Sequence, residues 1–154
     1  MVASTWLQDV GRQEEIVAFV DIDHSDMAAT DGGTIATGTY EAVQLPEGAV
    51  VTGGFAMILE AFPASVTLEV GDDGDIDRYL DAAGGAPGTA VYPQAGSIGE
   101  QTLNDLQYLA PTGYKYTAAN SIDVVVGGAA PTASGKLRLC VKYIVAGRAA
   151  FSEG

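Results

Sequence analysis

Short runs of alternating apolar and polar residues, each followed by a turn signal, dominate this chain. The segment SVTLEV at 65–70 shows the pattern most clearly, with Val66, Leu68 and Val70 on one side and polar residues between them. A period of two is that of a β-strand with one buried face. No window keeps the i, i+3, i+4, i+7 apolar spacing of an amphipathic helix, because glycine or proline interrupts nearly every stretch of a dozen residues. An all-β fold is therefore expected.

The spacing of these segments predicts their architecture. Eight or nine of them follow one another at intervals of roughly 8–12 residues, which is typical of an antiparallel β-sandwich or jelly roll. The clearest turn signals between them are LPEGA at 45–49, FPAS at 62–65, APTG at 110–113 and GGAAPTASG at 127–135, with a longer Gly/Pro-rich loop at 83–100. We expect the sandwich to occupy residues 14–147, between an extended N-terminal arm at 1–13 and a C-terminal tail at 148–154.

Charge and cysteine content exclude several classes of function. Seven Lys and Arg residues against twenty Asp and Glu residues give a net charge of −13, which repels nucleic acid and anionic lipid. Cys140 is the one cysteine of the 154 residues, so neither an intrachain disulfide nor a cysteine-based zinc site can form. The N-terminus has no basic region followed by an apolar run, and the apolar stretch at 49–59 is too short to span a bilayer. We expect a soluble, unprocessed chain with no direct nucleic-acid or membrane partner.

The apolar content predicts a buried interface with other copies of the chain. Hydrophobic residues make up 47% of the sequence and charged residues only 18%. In GGFAMILEAF, Phe55, Met57 and Leu59 point one way while Ala56, Ile58 and Phe62 point the other, so one sandwich core would leave one set exposed. We therefore expect a homotrimer that covers this second face.

The final strand places basic residues on one face. Its apolar side is Leu137, Leu139, Val141, Tyr143 and Val145. Its other side carries Lys136, Arg138, Cys140 and Lys142, with Arg148 just beyond. Two interpretations stay open: an outward face paired with acids such as Glu60 or Glu69 on neighbouring strands, or a basic stripe that faces a partner. In either case Cys140 is expected to be a small packing residue.

The aspartate-rich stretch Asp72–Asp77 raises the question of a metal site. An EF-hand loop begun at Asp73 would need glycine at its sixth position, where Arg78 stands, and glutamate at its twelfth, where a glycine stands. A looser calcium site remains open, because alternate aspartates can converge when the chain bends sharply. The alternative is a solvated turn in which Asp77 or Asp75 pairs with Arg78. We expect no required metal ion and no cofactor.

Catalytic signatures are missing from the sequence. The single histidine, His24, lies beside Asp21, Asp23 and Asp26, but no nucleophile motif accompanies it, and Cys140 has no histidine near it in sequence. DIDHSD therefore indicates the end of a strand that runs into a polar loop. We expect no catalytic residues and no enzymatic activity.

The N-terminal arm carries a candidate anchor. Trp6, the only tryptophan, lies there with Leu7 beside it. A tryptophan in a terminal segment usually docks somewhere, on its own sandwich or on a neighbouring subunit. We interpret Trp6 and Leu7 as docking residues.

Four segments together resemble small virion structural proteins of tailed bacteriophages. They are YEAVQLPEGAVVTGGFAMILEAF, SVTLEVGDDGDIDRYLDAAG, PTGYKYTAANSIDVVVGG and GKLRLCVKYIVAGR, within about residues 38–148. In that class a Leu-Pro-x-Gly turn leads into a VxGG strand, then a V-G-D-x-x-D-x-D-R-Y-L segment, a variable loop and a closing strand. The acidic DIDHSD segment has no counterpart there.

The resemblance implies a capsid decoration, or cement, protein. Such a protein binds the outer surface of the major capsid shell in the virion, commonly as a trimer at local threefold positions, after synthesis in the host cytoplasm. The VGDDGDIDRYL segment would then be a strand–turn–strand element in which Val70, Ile76, Tyr79 and Leu80 pack and the aspartates stay solvated. The resemblance brings no catalytic residues with it.

Two other functions remain as alternatives. A carbohydrate-binding sandwich, with or without calcium, predicts an exposed aromatic platform drawn from Tyr79, Tyr92, Tyr108, Tyr114 and Tyr116. A hydrolase would need a cleft with two carboxylates at a defined separation, and no motif in the sequence provides one.

Overall fold

A computed structural model describes residues 15–27, 35–80, 99–102 and 114–145, with the backbone alone at 99–102. This part of the chain is built from antiparallel strands and one short 3-10 turn, His24–Asp26. The strands are β1 Ile16–Asp23, β2 Gly38–Leu45, β3 Ala49–Glu60, β4 Val66–Asp72, β5 Asp75–Leu80, β6 Gly99–Thr102, β7 Tyr114–Lys115, β8 Asn120–Gly128 and β9 Lys136–Val145. The all-β prediction is therefore confirmed.

The strands form two sheets that enclose one core. The strands of the first sheet follow the order β1-β9-β3-β6, and β7 pairs with β3 beside β6. The strands of the second sheet follow the order β2-β8-β4-β5. The antiparallel pairs are nested along the chain: β4 with β5, β3 with β6 and β7, β2 with β8, and β1 with β9. A long hairpin rolled into two sheets in this way is a jelly roll. The expected arm at 1–13 and tail at 148–154 lie outside the described residues.

The chain passes from one sheet to the other at the turn that the sequence predicts at residues 45–49. The amide of Ala49 donates to the carbonyl of Pro46 at 3.1 Å, and Gly48 has a φ of 81°. That positive φ at the third position of the turn is the type II geometry that favours glycine. Because β2 lies in the second sheet and β3 in the first, this turn changes layers.

The strand β3 is one bent strand of 12 residues. Its pairing with β9 shifts register between Val51 and Gly53 and again between Ile58 and Glu60. Such irregularities bend a strand and increase its twist, so one segment can follow the curvature of the sheet.

The core consists of the inner faces of both sheets. The largest fully buried side chains are Tyr79, Met27, Ile58, Ile122, Leu137, Leu139, Val51, Val70, Val124, Val126 and Val141. The alternation read from the sequence is confirmed in β4, where Val66, Leu68 and Val70 are buried. At one end of the core the ring of Phe62 lies directly against Gly135, where any side chain would collide with it. Glycine is needed there for this close approach.

One detail of the chain path differs from expectation. The loop expected over 83–100 ends earlier, because β6 begins at Gly99 and pairs with Ile58 of β3. Among the residues described, no helix is long and apolar enough to cross a membrane.

Candidate interaction surface

The outer face of the first sheet exposes large apolar side chains. We use this name for the outward side chains of β1, β9 and the middle of β3, which are Val17, Phe19, Asp21, Phe55, Met57, Lys136, Arg138, Cys140 and Lys142. Phe19 keeps 68% and Val17 keeps 55% of the surface of the free residue. Single exposed apolar residues are ordinary, but neighbouring ones on one sheet face mark an interaction site.

The register places these side chains in rows across three strands. Phe19, Cys140 and Phe55 are opposite one another on β1, β9 and β3. Cys140 is 5% exposed in the middle of its row, so it is the small packing residue expected from the sequence. The next row is Asp21, Arg138 and Met57. An apolar row therefore borders a charged one.

Arg138 holds an ion pair within the outer face. Its guanidinium donates from Nε to Oδ1 of Asp21 at 2.6 Å and from a terminal nitrogen to Oδ2 at 2.8 Å. These hydrogen bonds lower the pKa of Asp21 and raise that of Arg138. The guanidinium also lies 5.7 Å from the centre of the Phe19 ring, within cation–π range.

The expected outward pairing of the basic face is therefore found, but with a different acid. The sequence suggested Glu60 or Glu69, whereas the partner of Arg138 is Asp21 on β1. Glu69 could not serve because it lies on β4, in the second sheet. Lys136 is opposite Glu60 and Asp23, and Lys142 is opposite Val17 and Gly53.

The outer face brings together most of the interface residues proposed from the sequence. Phe55, Met57, Lys136, Arg138 and Lys142 share it, and Leu59 lies partly exposed at the register shift of β3. Trp6, Leu7 and Arg148 lie outside the described residues. Sequence reasoning missed Val17 and Phe19, although the signal was available: in EEIVAFVDID two outward positions are apolar.

The aspartate hairpin between β4 and β5 is anchored by a buried ion pair. Asp72 is 2% and Arg78 7% exposed, and Nε of Arg78 donates to Oδ2 of Asp72 at 2.6 Å. The other oxygen, Oδ1, accepts from the amides of Gly74 at 2.9 Å and Asp75 at 3.0 Å. The expectation of solvated aspartates, with Arg78 paired to Asp75 or Asp77, was wrong for Asp72. Its carboxylate ends the inward-facing series of β4.

Two tyrosines extend this network across the core. The hydroxyl of Tyr116 donates to Oδ2 of Asp72 at 2.7 Å and lies 2.8 Å from the hydroxyl of Tyr79. Burial raises the pKa of both tyrosines, so both hydroxyls remain protonated. The backbone of Tyr116 bonds to Ala49 and Gly48, at the start of β3. The network thus ties the hairpin of the second sheet to the first sheet.

Arg78 stays charged in this setting. Burial is the largest influence on its guanidinium and lowers the pKa, but the hydrogen bond to Asp72 and the nearby negative charges together outweigh burial, so the net shift of the pKa is upward. The guanidinium carbon lies 3.9 Å from the centre of the Tyr114 ring, which meets the Tyr116 ring edge to face at 5.0 Å. The charge is therefore held by both a carboxylate and an aromatic face.

The packing expected of this hairpin is confirmed in part. Val70, Tyr79 and Leu80 are buried, whereas Ile76 is 52% exposed, so the expectation that it packs was wrong. The pairing of β4 with β5 shifts register between Val70 and Asp72. At Gly71 any side chain would collide with the backbone of Asp75 and Ile76, so glycine makes this turn feasible.

Within the described residues no group of three or more His, Cys, Asp or Glu side chains is placed to hold a metal ion. The Asp72 carboxylate already accepts four hydrogen bonds. The absence of a metal requirement remains a prediction.

The carbohydrate platform loses two of its members. Tyr79 and Tyr116 are buried, so they cannot stack on a sugar, and the Tyr114 ring is covered by Arg78. Tyr92 and Tyr108 lie outside the described residues. The prediction that Tyr79 and Tyr116 belong to an exposed sugar-binding platform was therefore wrong.

His24 lies where a strand ends, as expected. Asp23 caps the 3-10 turn by accepting from the amide of Ser25 at 3.1 Å, and Asp26 accepts from the amide of Asp23 at 2.9 Å. Nδ1 of His24 lies 2.9 Å from Asp23. Asp23 and Asp26 of the DIDHSD segment thus form a local cap.

Asp123, which sequence reasoning did not single out, is a second buried acid. It is 1% exposed, on β8, and accepts a hydrogen bond from the Ser121 hydroxyl at 2.6 Å. Burial raises its pKa despite that hydrogen bond, and the nearby carboxylates of Asp73 and Glu41 raise it further. A buried aspartate inside SIDVVVG gives no sequence signal, because its neighbours on β2 and β4 are remote in the chain.

The described part of the molecule is thus a jelly roll with an exposed apolar sheet face and a buried polar network. No protein-family model and no curated protein sequence matches the chain. Among solved structures, it is similar to a chain of the acid-stable capsid of Helicobacter pylori bacteriophage KHP30, with 17% identity, a TM-score of 0.57, and coverage of 87% of this chain and 90% of the other. It is also similar to a chain of the cyanophage Pam1 capsid asymmetric unit, with 25% identity, a TM-score of 0.55, and coverage of 87% and 86%.

These likenesses define the class of protein. At 17% identity the KHP30 likeness shows the fold alone. The Pam1 likeness supports a structural protein of a phage virion, associated with the capsid shell.

Proposed function

We propose that this protein is a capsid decoration, or cement, protein that binds the outer surface of the major capsid shell and stabilises it as a homotrimer. It acts by binding and has no catalytic activity. The similarity to capsid chains supports the shell as its setting. The resemblance of four sequence segments to virion structural proteins supports the decoration role in particular.

The observation that carries the proposal is the outer face of the first sheet. Its exposed Val17 and Phe19 lie beside Phe55 and Met57, and burying each large apolar side chain contributes roughly 1.5–3 kcal/mol. Three of the seven basic residues of the chain lie on the same face. A protein of net charge −13 can approach another surface there with less repulsion than elsewhere.

Charge also supports a position on the outside of the shell. The inner surface of a filled capsid faces packaged DNA, and a charge of −13 opposes contact with a polyphosphate. We therefore propose no direct nucleic-acid contact, with the major capsid protein and other copies of this chain as the partners.

Stabilisation would follow from multivalent binding. A standard interface buries about 800 Å² on each partner, and a trimer engages several such contacts at once, so each contact can be weak. If the trimer binds only the expanded shell, it shifts the equilibrium of the shell toward that form.

Binding to shells tests the proposal. Shells of the encoding phage, prepared without this protein, are incubated with purified protein, sedimented, and assayed for occupancy and for the temperature at which they rupture. We expect saturable binding and a higher rupture temperature, with heat-denatured protein as the control. No binding to shells at tens of micromolar would contradict the proposal.

A further inference from the structure

The strand β1 is an edge strand without the protections of the other edges. The opposite edge of the first sheet is made of β6 and β7, of four and two residues. Both edges of the second sheet, β2 and β5, have register shifts in their pairing. By contrast, β1 pairs with β9 over all eight residues in one unbroken register. Short strands and bulges are devices that prevent unwanted pairing, and β1 has neither.

The backbone of β1 presents hydrogen-bonding groups on its outer edge. The amide of His24 donates to the carbonyl of Gly135 at 2.8 Å, which continues the register with β9. Because bonded and non-bonded pairs alternate in an antiparallel ladder, the even-numbered residues of β1 bond to β9. The backbone groups of Val17, Phe19 and Asp21 therefore point away from β9. No strand in the described part of the chain pairs with this edge.

The apolar half of β1 also lacks protecting side chains, and its charged residues, Asp21 and Asp23, lie at the other end. Its sequence, IVAFVDID, contains no lysine and no proline, the residues that most often block an edge. Val17 and Phe19 are exposed beside a backbone edge with which no described strand pairs. A long, regular and apolar edge is suited to the addition of a strand from another chain.

We propose that β1 recruits an extended segment of the major capsid shell protein, which adds to the first sheet as a further strand. This inference rests on the proposed function and specifies how the protein attaches. Backbone hydrogen bonds to Val17, Phe19 and Asp21 supply part of the affinity. Apolar side chains of the added segment pack beside Val17 and Phe19.

Charge identifies the shell protein, in preference to a second copy, as the occupant. Glu15, Asp21 and Asp23 are the charged residues of β1 and the position before it, and all three are acidic. A second copy that pairs antiparallel, with its Phe19 opposite Val17, would also place its Asp21 opposite Glu15. Like charges in such positions are destabilising, so this edge disfavours pairing with its own copy. The segment that fits presents a basic side chain at the Asp21–Asp23 end.

Two pairs of variants test the inference on the shells described above. Val17→Pro removes the backbone N–H that points to the open edge, together with the valine side chain. The control is Val17→Ala, which removes the valine side chain but keeps the N–H. Proline is tolerated on the open side of an edge strand, so both variants should fold, and thermal unfolding checks this. We expect Val17→Pro to bind shells at least tenfold more weakly than Val17→Ala.

The second pair keeps the backbone intact. Phe19→Lys introduces a charge on β1, and Ile76→Lys introduces the same charge at a comparably exposed isoleucine on β5. We expect at least tenfold weaker binding for Phe19→Lys and wild-type binding for Ile76→Lys.

Each other outcome has a distinct meaning. If the wild type binds and both β1 variants bind equally well, the edge-pairing inference is wrong while the proposed function stands. If light scattering detects a wild-type oligomer that Val17→Pro dissociates, the occupant is a second copy and the assignment to the shell protein is wrong. If the wild type does not bind shells, both proposals fail.

Discussion

At the scale of single residues, the buried pair of Asp72 and Arg78 is the most sensitive point of the fold. Removing one partner of a buried ion pair leaves the other charge without compensation, which costs about 3–5 kcal/mol. We expect Asp72→Ala to destabilise the protein by that amount, as measured by urea unfolding. Asp73→Ala, one position along and exposed, is the control, with an expected change within about 0.5 kcal/mol. Equal losses of stability in the two variants would show instead that Asp72 is no more important to the fold than a solvated aspartate.

The contribution of Asp123 to the free energy of unfolding is expected to change with pH in the direction opposite to that of most acidic residues. Its pKa is raised in the folded state by burial, so the folded protein binds its proton more tightly than the unfolded chain does. The stability it contributes is present below its unfolded pKa and is lost as the pH rises through its folded pKa. We expect Asp123→Asn to stabilise the protein at pH 7 and to have little effect at pH 3.

The measurement is the free energy of unfolding of both proteins at several pH values. Ser121→Ala serves as a companion variant, because it removes the hydroxyl that donates to Asp123. Destabilisation by Asp123→Asn at pH 7 would show that the ionised carboxylate is required there.

At the scale of elements, the N-terminal arm and the sandwich are expected to have separate roles. Trp6 lies outside the described residues, and the strands begin at Ile16. We predict that Trp6→Ala leaves thermal unfolding of the isolated protein nearly unchanged and weakens shell attachment by about 2 kcal/mol, as a hot-spot residue would. Gln8→Ala, in the same arm, is the control. Unchanged shell occupancy would exclude the docking role, and a large loss of stability would show that Trp6 packs on its own sandwich.

At the scale of the whole molecule, the exposed apolar sheet face predicts association. The alternation in β3 buries Ala56 and Ile58 and leaves Phe55 and Met57 partly exposed, as expected from the sequence. We expect light scattering on the purified protein to detect a trimer. Met57→Lys, on the outer face, should shift it toward monomer, whereas Thr67→Lys, exposed on β4, should not. A wild-type monomer at tens of micromolar would contradict the trimer.

The sequence by itself determined the strands, their faces and the broad class of fold. A period of two is a local property, since successive side chains of a strand point to opposite faces wherever the strand lies. The burial of Val66, Leu68 and Val70 could therefore be read directly. So could the presence of a turn at 45–49, because the preference of glycine for a positive φ is a local property.

Only the tertiary structure decided which strands are neighbours, and the candidate site depends on that. Asp72 meets Tyr116 across 44 positions of sequence, and Asp21 meets Arg138 across 117. The ion pair of Asp72 with Arg78 was not predicted, because it depends on how β4 and β5 come together at the end of the hairpin. Likewise, β1 is an edge strand because β9 returns to only one of its sides. Pairing between distant segments leaves no periodicity in either segment, so no local pattern could reveal it.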